Sequence, residues 1–148
     1  MSQAVPKPPS GVLLALDWGA ARIGVAACDS FRILAYPVAT VNNDEAAFDK
    51  IAKLVSEYGA KEVILGLPVA LNGAEEVAAT TLREVAETLR SHLPDTPIRL
   101  VDERLTTKAA AAKLRESGKS TKKQRKIIDQ AAAVALLESV IANQPPKE

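Results

Sequence analysis

One apolar run ending in an acid constrains this chain most. Gly11 to Asp17 reads G-V-L-L-A-L-D. A strand with one wet face alternates polar and apolar residues; this one stays apolar until its last position. It reads as a strand buried on both faces, which places it inside an α/β sheet. Trp18-Gly19-Ala20-Ala21 is a short turn, and Arg22 to Cys28 (R-I-G-V-A-A-C) is a second strand. So short a turn makes the pair an antiparallel hairpin. After Asp29-Ser30 a third strand is expected at about Ile33 to Thr40, and Pro37 within it points to an edge position or an early end.

The periodicity then changes. Asn43 or Asp44 can cap a helix, and Phe48, Ile51, Val55 and Tyr58 recur at helical spacing up to Gly59. Glu62 to Leu67 is a buried strand stopped by Pro68, and Asn72-Gly73 marks a loop. Ala78, Leu82, Val85 and Leu89 line a helix that Pro94 closes. Ile98 to Asp102 is the last strand. Thr106 or Thr107 caps an Ala-rich helix ending at Gly118, and a final helix runs from about Gln124 to Ala142. Three consecutive strands make an antiparallel meander. Strands that arrive through helical crossovers lie parallel to the first. The expected architecture is a five-stranded mixed α/β sheet flanked by helices. It forms one domain over residues 11–142, between a disordered Pro-rich tail (1–10) and a short C-terminal tail (143–148).

Composition narrows the function classes. Aromatics are 3% of the 148 residues, so Val, Leu, Ile and Ala must build the core. No apolar run approaches the ~20 residues a membrane span needs. Met1 to Ser10 lacks the apolar stretch of a signal peptide. Cys28 is the lone cysteine, which rules out an intramolecular disulfide or a thiolate cluster; its apolar strand makes it a core residue. These features suit a cytoplasmic protein. Net charge is +1, but Lys119, Lys122, Lys123, Arg125 and Lys126 crowd one stretch without an acid. Such a run is a solvated loop or a cationic patch for a phosphate backbone.

Three acids stand at telling places. Asp17 closes the central strand, Glu103 follows the last strand, and Asp129 lies on the final helix before Ala131-Ala132-Ala133. The parallel arrangement brings the first two to the same end of the sheet, where α/β proteins bind ligands. Small alanines let the last helix approach closely. Converging carboxylates repel unless cations sit among them. Oxygen-only ligands suit Mg²⁺ or Mn²⁺, and two such ions can drive in-line displacement at phosphorus. Taken singly, Asp17 reads equally well as a turn residue, Glu103 as a polar strand end, and Asp129 as a solvated helix acid. The conjunction is what points to a site.

Four blocks carry a resemblance: D-W-G-A-A-R-I-G-V-A (17–26), G-L-P-V-A-L-N-G (66–73), V-D-E-R-L-T-T (101–107) and I-D-Q-A-A-A (128–133). In this order they resemble the YqgF family, also called RuvX, known for pre-16S ribosomal RNA nucleases and for likeness to Holliday junction resolvases. The resemblance implies a ribonuclease H-like fold and a cytoplasmic bacterial enzyme acting on structured nucleic acid. It implies that Asp17, Glu103 and Asp129 are catalytic metal ligands, with Asp17 bridging two Mg²⁺ or Mn²⁺ ions. By the same analogy Arg22 and Arg104 contact substrate phosphate, and the loop from Lys119 to Lys126 reaches over the substrate. Related resolvases often carry a second acid on the last helix; here Ala132 stands three residues after Asp129, which implies weaker metal binding or reliance on Mn²⁺. Junction resolution needs two symmetric cuts and hence a homodimer, whereas RNA trimming does not.

Two rival functions are weighed beside the nuclease. A nucleic-acid-binding module that has lost catalysis would bind without metal-stimulated cleavage; the three retained acids argue against it. An ATP-binding protein of the actin and sugar-kinase type also starts with Asp-x-Gly on a first strand, but needs a second domain to close over the nucleotide. His92, beside Leu93-Pro94 at a helix end, reads as a solvent-facing histidine rather than a general base, and Trp18 as strand-end packing.

Overall fold

The computed structural model describes residues 10–67, 73–102 and 122–143, with backbone alone at 67, 73–80, 102 and 122–126. The strands are β1 (Leu13–Trp18), β2 (Arg22–Cys28), β3 (Ala35–Asn42), β4 (Glu62–Leu67) and β5 (Ile98–Asp102). The helices are α1 (Ala47–Tyr58), α2 (Gly73–His92) and α3 (Lys122–Ala142). One sheet holds all the strands in the order β3-β2-β1-β4-β5. β1 pairs antiparallel with β2 and parallel with β4; β4 and β5 are parallel. The antiparallel-then-parallel plan expected from the sequence is the one observed, and β1 is central.

The apolar runs fill two cores, one on each face. Leu14 and Leu16 of β1 pack with Ile51 and Val55 of α1 and Leu82 and Leu89 of α2. Leu13 and Ala15 pack with Ala133, Leu136, Leu137 and Val140 of α3. Strand alternation assigns each residue to its face. The thiol of Cys28 is buried in the α3 core, and the Leu13 N–H donates to its Sγ at 3.3 Å. Burial pushes its pKa up. Ellman's reagent should therefore leave Cys28 unreacted in the folded protein and titrate one thiol once denaturant opens the core. Fast modification without denaturant would contradict this packing.

Several boundaries differ from the sequence reading, each for a visible reason. β3 starts and ends two residues later than expected. The Asp29 carboxylate accepts the N–H groups of Phe31, Ile33 and Leu34 and keeps that segment in a turn. Those bonds hold its carboxyl below the usual carboxylate range. Pro37 is tolerated because β3 is an edge strand, beside a register shift opposite Val25 and Ala26. Neither Asn43 nor Asp44 caps α1, whose N-cap is Ala46 with no side-chain bond. The Asn43 amide instead donates to the Gly19 carbonyl at 2.8 Å, tying α1's approach to the β1–β2 turn. Gly59 ends α1 at φ 62°, the left-handed conformation that glycine adopts freely.

Gly73 is the first residue of α2, and Asn72, the other half of the expected loop, lies outside the described residues. α3 begins at Lys122, so Lys122, Lys123, Arg125 and Lys126 belong to a helix and not to a loop. Lys, Arg and Gln are good helix formers, which explains why the basic run continues the helix. The helix expected at 106–118, Lys119, and residues 1–9 and 144–148 of the two tails lie outside the described residues. Among the described residues, no helix is long and apolar enough to cross a membrane.

Candidate metal and nucleic-acid site

The alternation that buries Leu13 and Ala15 against α3 also aims Asp17 at that side of the sheet. Asp17 stands opposite Gly24 of β2 in the antiparallel register, and Gly24 stands opposite Thr40 of β3. Across this row lies α3. A Cβ built on Gly24 would overlap the backbone carbonyl oxygen of Asp129. The helix therefore rests on the strand at the one residue that lacks a side chain, and Asp129 is delivered to the row that contains Asp17. Ala133, one turn later, is fully buried and lets the contact continue.

Side chains lock this seat. Arg22 Nε donates to Asp129 Oδ2 at 2.7 Å, with the two side chains 27% and 17% exposed. Gln130 Nε2 donates to Thr40 Oγ1 at 3.0 Å. A charge-assisted bond between half-buried partners is stronger than a surface pair. It holds one carboxylate of the α3 face with a counter-charge from β2.

Asp17 also lies one residue before the end of its strand, on the side where β4 and β5 finish. Leu16 lies opposite Leu65 and Leu65 opposite Leu100, so Asp17, Gly66 and Val101 sit one step further along three adjacent strands. β5 stops at Asp102. Glu103 is the next residue in the chain; it, Arg104 and Lys119 lie outside the described residues. The structure thus brings two of the three expected acids, Asp17 and Asp129, to one face and leaves the third undescribed. Among the described residues, no group of three His, Cys, Asp or Glu side chains is assembled. The two aspartates supply carboxylate oxygens, the ligand type that a hard divalent ion takes.

Arg22 is placed at this site, but its observed partner is Asp129. Sequence reasoning assigned it to phosphate and missed the pair, which joins residues 107 positions apart. Gly24 was missed as well, although its signal was present: a glycine inside a buried strand marks close approach of another backbone. Trp18 turns to the other face, where its ring lies 5.5 Å from that of Phe48. Phe48 in turn stacks on His92 at 5.3 Å. His92 is exposed, and its Nδ1 lies 3.0 Å from the Thr88 carbonyl in its own helix. Neither residue belongs to the acid site.

The RuvX family model, described as a Holliday junction resolvase, matches residues 11–143. The chain belongs to the RuvX family. A relative from Cutibacterium acnes named "Putative pre-16S rRNA nuclease" is 53% identical over 131 residues, covering 88% of this chain and 82% of the relative. Relatives of the same name from Streptomyces coelicolor (45% identical, 97% and 90% covered) and Thermobifida fusca (46%, 94% and 95%) also match. Among solved structures, Thermus thermophilus RuvC in complex with a Holliday junction superposes with a TM-score of 0.54 at 8% identity, covering 87% of this chain and 92% of RuvC. At that identity the likeness speaks to the fold alone, which is ribonuclease H-like. The RuvX blocks of the sequence and the observed sheet order agree on that fold.

Proposed function

We propose that this RuvX protein is a cytoplasmic, divalent-metal-dependent nuclease that hydrolyses phosphodiester bonds in structured nucleic acid. The observation that carries the reading is Asp129, set by Gly24 and Arg22 on the same face as Asp17 at the carboxyl end of the central strand. In this reading Asp17, Glu103 and Asp129 would hold Mg²⁺ or Mn²⁺, two ions in all. Bound there, the ions would lower the pKa of a water and stabilise the leaving oxygen. The protein's own part is positioning. β1 fixes Asp17 in a buried strand, and α3 is seated on β2 so that Asp129 keeps its distance from it. The substrate phosphate is held by Arg22, Arg104 and the basic residues Lys119, Lys122, Lys123, Arg125 and Lys126.

The last four of those residues open α3, which has no acid in its first turn. A helix N-terminus is itself positive, so the helix start and its cations add up to an attractive field for phosphate. Neutralising Lys122, Lys123 and Lys126 together should lower the slope of log affinity against log salt by about 2–3, roughly one per lost phosphate contact. Fluorescence anisotropy of a labelled junction across a salt series reads this directly, and an unchanged slope would put the start of α3 off the substrate.

The relatives' name favours pre-16S rRNA as substrate; the family description favours a Holliday junction. The deciding experiment offers both substrates to the protein, with Mg²⁺ and Mn²⁺ tested separately. Metal-stimulated cleavage of the RNA precursor by a monomer supports trimming. Paired symmetric nicks in the junction by a dimer support resolution. Cleavage of neither with either ion refutes the nuclease reading.

A further inference from the structure

We infer that Arg22 is the built-in counter-ion of the acid site, and that a divalent cation loads by displacing its guanidinium from Asp129. The inference rests on the metal-site reading and adds to it what occupies the site's charge before the ion arrives. Arg22 and Gly24 lie on the same face of β2, and Gly24 is opposite Asp17. Arg22 is therefore the diagonal cross-strand neighbour of Asp17, a separation that a long side chain spans. Its Nε already reaches Asp129 Oδ2 at 2.7 Å. One guanidinium thus pairs with Asp129 from a strand position diagonal to Asp17.

Charge sets the order of events at this site. A guanidinium cannot lose its proton in a protein, so the cation is permanent. Without an ion, it offsets the repulsion between two half-buried carboxylates. A divalent ion ligated by Asp129 would then have a like charge on the same carboxylate. Repulsion between +2 and +1 a few ångströms apart weakens ion binding by about tenfold even with water's screening. The repulsion is relieved when Arg22 leaves Asp129, and the nearest anion for it is then a substrate phosphate. Ion loading and grip on the substrate are coupled through one side chain, and Arg22's two partners are taken in turn.

The test uses the full chain. Mn²⁺ is titrated into the wild type, Arg22→Gln and Arg22→Lys, with free ion read by electron paramagnetic resonance and stability read by melting in EDTA. Arg22→Gln should bind Mn²⁺ about tenfold more tightly than wild type and melt at a lower temperature in EDTA. Arg22→Lys keeps the charge and should bind close to the wild-type affinity. A measurement free of substitutions accompanies these: in the wild type, the Arg22 Nε–H resonance should exchange slowly in EDTA and lose that protection on saturation with Mg²⁺. Equal or weaker Mn²⁺ binding by a folded Arg22→Gln overturns the inference, because Arg22 then only orients Asp129. So does an Nε–H that stays protected at saturating Mg²⁺. If the wild type binds no Mn²⁺ at all, the metal-site reading fails first and this inference goes with it.

Discussion

Asp17→Asn should fold like the wild type and cleave at least about a thousandfold more slowly with either Mg²⁺ or Mn²⁺. The change keeps the shape of the side chain and removes only its charge, so the two cores on either side of β1 are untouched. What it removes is the carboxylate at the end of the central strand, on the face that α3 covers. A carboxamide is a poor ligand for a hard divalent cation, so a site that uses this carboxylate should lose its grip on the ion. A thousandfold loss corresponds to about 4 kcal/mol of transition-state stabilisation, within the range seen for single members of a catalytic unit. Two readouts separate chemistry from folding. Circular dichroism and a cooperative melt within a few degrees of wild type show the fold, and the rise in melting temperature on adding Mn²⁺ should shrink or vanish because that rise measures ion binding. Asp129→Asn should lose cleavage in the same way, and Glu103→Gln should match both if it is the third ligand. Wild-type rates in Asp17→Asn would remove the assigned site.

Much of this fold could be read along the chain because its elements are locally coded. The apolar runs at Leu13–Leu16 and Val63–Leu65 announce strands covered on both faces, and both are fully buried. Ile51 and Val55 recur at helical spacing and do face the core. Connection lengths gave the strand directions, since a short turn forces an antiparallel neighbour and a helical crossover a parallel strand. Less legible were features decided by a distant partner. Asn43 has the chemistry of a helix cap, yet its amide is used by the Gly19 carbonyl on another turn. Arg22 sits in sequence beside a suspected site and looks like a phosphate ligand. Its actual partner in the protein is an acid on the last helix. The basic run reads as a loop because its charges mask helix propensity, yet the last helix begins at Lys122.

That packing is also where the second large effect is expected. Gly24→Ala should lower the melting temperature by roughly 5–10 °C and cut cleavage by about a hundredfold. Within a strand, alanine is ordinarily the better residue, because glycine loses more conformational freedom on folding. Here the added methyl would occupy the place of the Asp129 carbonyl oxygen. That atom is helix backbone and cannot rotate away as a side-chain tip would, so α3 must lift from β2 as a body. Overpacking of this kind costs about 1–3 kcal/mol, and for a chain of about this size each kcal/mol is worth roughly 2–4 °C. Lifting the helix disturbs Ala133, Leu136 and Leu137, which seal the core on that face. It also carries Asp129 away from Asp17, and a displacement of about 1 Å at a reacting centre can cost a hundredfold in rate. The two losses should appear together, with Mn²⁺ affinity falling alongside the rate. A Gly24→Ala protein that melts like wild type and cleaves normally would mean that the helix does not seat on this glycine. The short path from Asp17 across β2 to Asp129 would then be lost, and with it the geometric basis for joining the two acids in one site.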